Sequence, residues 1–532
     1  MSIPQYSNSS DSVLGKTYRL GWALVTFVLI LQIWSRFLPA PWAVLIADDW
    51  SNLARSLSFP SFGEAIQNAM TDAHRPLSMI AVNLGYQIFR DDHRIWTLIS
   101  LVGNSLLLLF AMKMALELTG RRFVAVAAGV VLALLPNLTE TFHWSTQVLN
   151  EVLCALVPYA LSGWLWVAYV RRGGMWRLVA SFLAYGVGIF SYEVGVLLPG
   201  AYLLLLPWKQ QPVRSLGRIA PFALMFLFYM GWRATDAYGL FQTWQYPPHM
   251  QASVSAYGLA LTSWHLLHWW VGEYMFGAML NGFEYFSAIP LWPKRFLFAA
   301  NAVMSALVVW GLCRMAQSEN SASPRPFGRA QVVAFAMAWA GAAWTVSLAS
   351  YTCGRLNVLP AIGVSLLAAL VLARLPARQW SLWLVVPIFL ALLANQGTAE
   401  AHRQAGQINR AVYEHLQASQ GEWADKKLIV MDTSGLRERQ TAGLLRHSTF
   451  SDVTWAQCGN APFARGFTFS AMVKMIAGAG QPQPQVLHDM EYGARRAADQ
   501  LLWHDRYNAT RPHTNALADV FWVDCLAVAQ GR

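Results

Sequence analysis

The sequence is poor in charged residues and in the patterns that mark soluble enzymes. Only 13% of its 532 residues are charged, whereas globular chains average roughly 25%. Its five cysteines form no CxxC pair and no His/Cys metal spacing, so the cysteines predict no zinc-type site. No internal repeat or tetratricopeptide pattern is visible. These absences exclude an ordinary soluble domain, a zinc module and a repeat protein.

Long apolar runs take the place of these patterns. The chain is 55% hydrophobic with 25 Trp and a mean hydropathy of +0.34, which predicts an all-α polytopic membrane protein. Its net charge of +11 lies mainly in short basic loops, the positive-inside pattern. We therefore expect membrane lipids, and no nucleic acid, as partners. We expect no cleavable signal, because Lys16 and Arg19 precede an apolar run too long for one.

The basic loops set the predicted topology. We expect about eleven transmembrane helices, a cytoplasmic N-terminus and an extracytoplasmic C-terminal segment, as in a multi-pass protein of a bacterial inner membrane. The predicted spans are residues 20–37, 95–116, 123–135, 146–170, 219–232, 296–312, 331–350, 356–372 and 380–393, with two short helices between 178 and 206 that turn around Tyr192 and Glu193. Residues 265–286 are rich in aromatics and predict a helix lying along the membrane.

The chain divides into two predicted domains. Residues 1–396 form the membrane domain, with a first external loop at 47–94 that contains helical pieces, and residues 397–532 form a small α/β extracytoplasmic domain. We predict strands at 427–432 and 520–525 and a helix at 491–502. An oxidising compartment would favour a Cys458–Cys525 disulfide, with Cys353 as the alternative partner.

Two adjacent carboxylates, Asp48 and Asp49, follow the first apolar run. Carboxylates at the mouth of a hydrophobic helix are costly unless they are solvated or take part in chemistry. A membrane enzyme that deprotonates a hydroxyl would need a carboxylate at this depth. The alternative, which the spacing favours equally, is that the pair ends a helix at the interface.

Two arginines are candidates for binding phosphate. Arg75, next to His74, and Arg355 lie at the predicted outer face, where Arg suits phosphate or pyrophosphate. Alternatively, Arg75 caps a helix or pairs with Asp72, the more ordinary interpretation, and Arg355 reaches lipid headgroups.

Other polar residues interrupt apolar runs. Glu193, beside Tyr192, is a functional candidate because it is ionisable within a membrane segment; alternatively, a structural hydrogen bond fastens the hairpin. Glu140 and His143 lie in a short external turn. His143 could ligate a metal, but no complete ligand set is visible, so an interfacial histidine is favoured.

The order of these motifs resembles the GT-C superfamily of membrane glycosyltransferases, and in particular its protein O-mannosyltransferase-like branch. The matching residues are Asp48-Asp49, 74–77 (His-Arg-Pro-Leu), 191–194 (Ser-Tyr-Glu-Val) and 354–360 (Gly-Arg-Leu-Asn-Val-Leu-Pro). The resemblance covers roughly residues 20–410. It departs at Tyr192, where the family often has Lys, and in residues 395–532, which replace tetratricopeptide repeats of some relatives.

The resemblance implies a glycosyltransferase that moves a hexosyl or pentosyl group from a polyprenyl-phosphate donor to a glycan, lipid or protein hydroxyl. Asp48 or Asp49 would be the general base, while His74, Arg75 and Arg355 would contact the donor phosphate. The remaining candidates, Tyr192, Glu193, Glu140 and His143, would be structural or bind substrate. A divalent metal ion would be compatible with this reaction but is not needed, because cationic side chains can stabilise the leaving phosphate.

Two other functions compete with this expectation. A transporter or flippase of lipid-linked saccharide would more often show two related halves with charges at the midplane, whereas here the charges gather at the predicted outer face. A polysaccharide polymerase or ligase would normally carry a large Arg-rich external loop. The external loop after residue 233 is aromatic and poor in Arg instead.

Overall fold

The structure, a computed structural model, is dominated by helices. It describes residues 23, 25–36, 48–57, 61–72, 75–138, 140–143, 148–235, 278–319, 326–348, 357–434, 466–478, 483–488, 494–497, 499–505 and 508–531. Within these ranges, strands occur only after residue 427.

Helices α1 to α11 precede the aromatic segment that is predicted to form an external loop. They are α1 (Val25–Arg36), α2 (Asp48–Ser56), α3 (Phe62–Asp72), α4 (Pro76–Phe89), α5 (His93–Thr119), α6 (Arg122–Leu134), α7 (Glu140–His143), α8 (Val157–Arg172), α9 (Met175–Ser191), α10 (Pro199–Leu203) and α11 (Pro212–Thr235). A π-helical segment, Val148–Leu156, leads directly into α8, and 3₁₀ turns lie at Pro136–Leu138 and Glu193–Gly195.

Helices α12 to α19 follow that loop. They are α12 (Ala278–Ala288), α13 (Leu291–Ser318), α14 (Arg329–Leu348), α15 (Val358–Leu372), α16 (Ala377–Ala418), α17 (Gln420–Trp423), α18 (Gly466–Ala477) and α19 (Cys525–Ala529).

Five helical stretches among the described residues are long and apolar enough to cross a membrane. They are His93–Thr119, Val148–Arg172, Pro212–Arg233, Leu291–Ser318 and Ala377–Ala418. A bilayer core needs roughly 20 helical residues, and each of the five exceeds this length. The predicted helical membrane protein is therefore confirmed, while the number of spans and their orientation stay predictions.

The predicted spans correspond to observed helices whose ends mostly differ by a few residues. The last is the exception, because the span predicted at 380–393 lies within α16, which runs from Ala377 to Ala418. The predicted break around Tyr192 and Glu193 is confirmed, because α9 ends at Ser191 and a 3₁₀ turn starts at Glu193. Helical pieces in the segment predicted as the first external loop are also confirmed, as α2 and α3. The predicted helix at 265–286 is described only from residue 278 onward, where α12 begins.

Small residues allow the membrane helices to approach closely. Gly163 faces the Trp339 ring, where an added Cβ would lie 2.5 Å from the ring edge. Gly363 lies against the Ala336 carbonyl, and a Cβ at Gly397 would overlap the Gly282 carbonyl oxygen. Helices in lipid associate through such close packing because apolar burial between them gains little.

A buried amide network joins α1, α13 and α16. The Trp34 indole N–H donates to the Asn301 side-chain oxygen at 2.8 Å, and the Asn301 amide donates to the Gln396 side-chain oxygen at 2.7 Å. The Gln396 amide donates to the Trp34 carbonyl at 3.3 Å. Polar groups that satisfy one another in this way hold helices together inside a membrane.

We expect Asn301→Leu to destabilise the protein. The substitution leaves the Trp34 indole N–H without its acceptor and the Gln396 side-chain oxygen without its donor, and each unsatisfied buried group costs about 1–3 kcal/mol. Thermal unfolding in detergent measures the effect. Gln407→Leu, on the exposed side of α16, is the control and should be nearly neutral. Equal melting temperatures for both variants would contradict a stabilising role for the network.

The C-terminal region contains two three-stranded sheets. Strands β1 (Leu428–Asp432), β2 (Gln485–His488) and β6 (Val520–Asp524) form a parallel sheet in the order β2-β1-β6, with Asp432 opposite Asp524. Strands β3 (Arg495–Ala497), β4 (Gln500–Asp505) and β5 (Asn508–Ala516) form an antiparallel sheet in the order β3-β4-β5. The two predicted strands are confirmed as β1 and β6.

The predicted helix at 491–502 is wrong, because β3 and the start of β4 occupy this segment. The reason is a period of two: Leu501 and Trp503 are buried while their neighbours are more exposed, and both pack beneath β1 with Leu428 and Val430. The domain boundary predicted at residue 396 falls inside α16, which runs unbroken to Ala418. The division into two domains stays a prediction.

Two predictions about the cysteines depend on residues beyond the described ranges. Cys525 is buried at the start of α19, but Cys458 and Cys353 lie outside the described residues. The Cys458–Cys525 disulfide therefore stays a prediction.

Candidate functional site

The acidic pair opens a helix rather than a loop. Asp48 is the first residue of α2, and the Asp49 side chain is fully buried in the same turn. The Asp48 side chain lies outside the described residues. Carboxylates in a first turn are stabilised by the positive end of the helix dipole. The predicted alternative, that the pair ends a helix, is therefore wrong, because the pair starts α2. The placement is compatible with a positioned base and with a purely structural role at a helix start.

The second motif lies where α9 stops inside the apolar part of the chain. A helix end leaves carbonyl groups without intrahelical partners, and in a membrane each must be satisfied by protein. Here hydroxyl groups supply the donors. Ser78 donates to the Ser191 carbonyl at 2.5 Å, Tyr159 to the Tyr192 carbonyl at 2.7 Å, and Tyr185 to the Val196 carbonyl at 2.7 Å.

Two glycines make room for one of these donors. A Cβ at Gly188 or Gly195 would lie 2.7 Å or 2.6 Å from the Tyr159 ring, so any larger residue would displace it. The ring is fully buried between them. The break is therefore held by a specific set of contacts.

An ion pair connects this break to the start of α4. The Arg75 guanidinium donates from Nε to Glu193 Oε2 at 3.0 Å and from Nη2 to Oε1 at 2.9 Å. It also lies over the Tyr192 ring, with Cζ 3.7 Å from the ring centroid. Burial lowers the pKa of Arg75, but attraction by Glu193 outweighs it, and the net pKa is raised above its ordinary value. Arg75 therefore stays charged.

The ion pair does not use all of the guanidinium. Arg has five N–H donors, and Glu193 engages two of them, so three remain for another acceptor. The Arg75 side chain is 30% exposed and Glu193 is 19% exposed, which leaves an approach for a ligand. The partner of Arg75 is thus Glu193, and a contact between Arg75 and Asp72 is not described, because the Asp72 side chain lies outside the described residues.

Sequence reasoning missed two charged residues next to this pair. Glu151, in the π-helical segment, is 3% exposed and attracts Arg75; Arg233, at the end of α11, is 2% exposed and attracts Glu193. Glu151 had a usable signal, because an ionisable residue inside an apolar span is a functional candidate. π-Helical segments also occur frequently at functional sites. Arg233 carried no comparable signal in the sequence.

His143 belongs to a different group of contacts. Its Nε2 donates to the Arg36 carbonyl at 3.0 Å, and its ring stacks on His402 with centroids 5.0 Å apart. The Arg36 guanidinium donates to the Leu132 and Leu135 carbonyls at 3.2 and 2.8 Å. Because these carbonyls lie at the C-terminal end of α6, the Arg36 charge is favourably placed against that helix dipole.

The positions of three other predicted site residues cannot be compared with the ion pair. His74 and Arg355 lie outside the described residues, as does the side chain of Glu140 in α7. In the described part of the chain, no group of three or more His, Cys, Asp or Glu side chains could hold a metal ion.

Comparison with known proteins finds solved structures that overlap this chain at low TM-scores. No protein-family model and no curated protein sequence matches the chain. Among solved structures, it is similar to ArnT from Cupriavidus metallidurans bound to undecaprenyl phosphate, with 15% identity and a TM-score of 0.42 over 78% of this chain and 83% of ArnT. The apo state of that protein gives 14% identity and a TM-score of 0.32 over 79% and 82% of the two chains. At these scores the overlap carries no argument about chemistry.

We expect Glu193→Gln to destabilise the site by about 1.5–3 kcal/mol, the range for a hydrogen bond to a charged group. The exposed pair of Arg410 and Glu414, joined at 2.7 Å, provides the control. Glu414→Gln should cost less than about 0.5 kcal/mol, as i,i+4 surface pairs do. Unfolding in mixed micelles measures both variants. A double-mutant cycle with Arg75→Ala that shows no coupling would contradict the importance of the Arg75–Glu193 pair.

Proposed function

We propose that this protein is a membrane glycosyltransferase of the GT-C type. It would move a sugar from a polyprenyl-phosphate-linked donor to an acceptor hydroxyl at the predicted outer face of a bacterial inner membrane. The proposal extends to the predicted topology, with a cytoplasmic N-terminus and the C-terminal region outside. The protein O-mannosyltransferase-like branch rests on the short motifs alone.

One observation carries the proposal: α4 connects the motifs that the resemblance assigns to a single active site. On one side, Ser56 of α2 donates to Asn83 of α4 at 2.8 Å, and α2 begins with the acidic pair. On the other side, Ser78 and Arg75 bind the break that carries Tyr192 and Glu193. Motifs separated by more than a hundred residues thus belong to one packed group.

The proposed reaction is a substitution at the anomeric carbon of the sugar. Asp48 accepts the proton of the acceptor hydroxyl as its oxygen bonds to that carbon. The bond between the carbon and the phosphate oxygen breaks, and its electron pair leaves with the phosphate. Arg75, through the N–H groups not used by Glu193, and Arg355 would stabilise the charge of this leaving group. Asp49 would orient the acceptor or raise the basicity of Asp48 by repulsion.

The helix break argues against the transporter alternative. In many transporters, unwound backbone carbonyls coordinate the transported ion or its coupling ion. Here the carbonyls of Ser191, Tyr192 and Val196 accept hydrogen bonds from Ser78, Tyr159 and Tyr185. Because these carbonyls already accept hydrogen bonds from the protein, the break resembles a structural turn more than a cation site.

The direct test is sugar transfer by purified protein in nanodiscs. Undecaprenyl-phosphate-linked hexose and pentose donors, radiolabelled in the sugar, should lose label to an acceptor or to water. Asp48→Asn keeps size and polarity but removes proton acceptance, so it should lower the rate roughly 10²- to 10⁴-fold. Asp49→Asn should have the smaller effect.

Asp91→Asn is the matched control, because Asp91 is an exposed carboxylate in the same external loop. It should leave the rate unchanged. Parental rates for Asp48→Asn and Asp49→Asn would show that the pair only starts α2. A dead Asp49→Asn variant with an active Asp48→Asn variant would exchange the two roles.

A further inference from the structure

A hydrophobic cluster joins the predicted first external loop to the C-terminal region. We call it the junction cluster. Its buried members are Trp50, Leu53, Ala54, Trp96, Val412, Leu416, Trp423, Ile429, Met431, Phe469, Ala471, Met472, Val473, Val486, Val523 and Cys525. These residues come from α2, α5, the end of α16, α17, α18, α19 and the parallel sheet. The C-terminal region therefore shares its core with the loop that carries the acidic pair.

Helix α2 depends on this cluster for its position. It has only nine residues, and isolated helices shorter than roughly 12–15 residues are marginal in water. Its buried apolar side chains are Trp50, Leu53 and Ala54, each at most 3% exposed. The groups that pack against these three side chains therefore help to determine the orientation of α2, together with the hydrogen bond from Ser56 to Asn83.

The end of α16 and helix α18 provide that packing. The Tyr413 ring lies 4.7 Å from the Trp50 ring, centroid to centroid, at an interplanar angle of 35°. Helix α18 runs against α2, and its Phe469 and Met472 side chains are fully buried. Trp50 directly follows Asp49 in the same helical turn, so the packing around Trp50 acts on the backbone that carries the acidic pair.

We propose that the C-terminal region positions the acidic pair for the reaction, with Tyr413 as a positioning residue. The inference rests on the proposed function, because a base must be held within hydrogen-bond reach of the acceptor hydroxyl. A displacement of about 1 Å from a productive geometry can cost 10²-fold in rate. Tyr413 acts through Trp50 and touches no substrate.

The test compares three variants of the full-length protein in nanodiscs. Tyr413→Ala removes the ring that holds Trp50, and Tyr413→Phe keeps it. Trp503→Ala removes a buried aromatic ring from the other hydrophobic cluster of the C-terminal region, where it packs with Leu428 and Val430. Amide hydrogen exchange of residues 50–56 and steady-state transfer from an undecaprenyl-phosphate-linked hexose are measured for each.

We expect Tyr413→Ala to accelerate exchange in α2 at least about tenfold. It should lower kcat by about 10- to 10²-fold while KM changes little, because the donor contacts are untouched and the base is displaced. The fall of kcat at low pH should become shallower, because this fall reports protonation of the base. Tyr413→Phe should keep α2 exchange, kcat and the pH dependence of kcat at parental values. Trp503→Ala should likewise leave α2 exchange and kcat at parental values.

Unchanged α2 exchange in Tyr413→Ala would overturn the inference, as would equal losses of kcat in Tyr413→Ala and Trp503→Ala. Failure of the proposed function has a different signature. In that case the aspartate variants keep parental rates or no donor is turned over, while the exchange data still report whether Tyr413 holds α2.

Discussion

The Arg75–Glu193 ion pair is the contact on which the candidate site depends. It connects the start of α4 to the helix break after α9, 118 positions further along the chain. Its two hydrogen bonds fix both the distance and the plane of the guanidinium, which a Lys could not do. Tyr192 completes the arrangement from the other face of Arg75. This explains physically why Tyr can stand where the GT-C resemblance leads one to expect Lys: an aromatic ring stabilises the existing cation instead of adding another.

The helix break after α9 has to satisfy its backbone carbonyl groups without water. Backbone carbonyls released from a helix need donors supplied by the protein, and three hydroxyl groups from α4, α8 and α9 supply them. Because each donor comes from a different part of the bundle or turn, the break also acts as a packing point. Charges of both signs meet at the break. Arg75 is attracted by Glu193 and by Glu151, and Glu193 is attracted by Arg75 and by Arg233. The two positive and two negative charges leave the group without a large net charge. The acidic pair on α2 is linked to the same group through Asn83 of α4.

The helical part of the fold could be predicted from the sequence because membrane helices are long apolar runs with polar ends. The break at Tyr192 was visible for the same reason, since polar residues interrupt an apolar run there. The segment 491–502 was misread as helical, because the alternation of Leu501 and Trp503 is too short to outweigh the helix-forming residues around it. The continuation of α16 past residue 396 was missed, because its polarity rises while its backbone stays helical.

The sequence indicated which residues were candidates for the site, but it did not predict which of them contact each other. Arg75 and Glu193 were both singled out, yet nothing in their spacing predicted that they bind each other. Glu151 and Arg233 became relevant only when the fold brought their charges near the pair. The contact between Tyr413 and Trp50 is similarly tertiary, since it joins residues from opposite ends of the chain.

The most direct measurement of the central claim is a cryo-EM structure of the protein in nanodiscs with undecaprenyl phosphate. The account predicts density for the phosphate within hydrogen-bond distance of the Arg75 N–H groups that Glu193 leaves open, at the end of the bundle where α2 begins. Phosphate bound at the opposite end of the bundle, or bound with Arg75 out of reach, would contradict it.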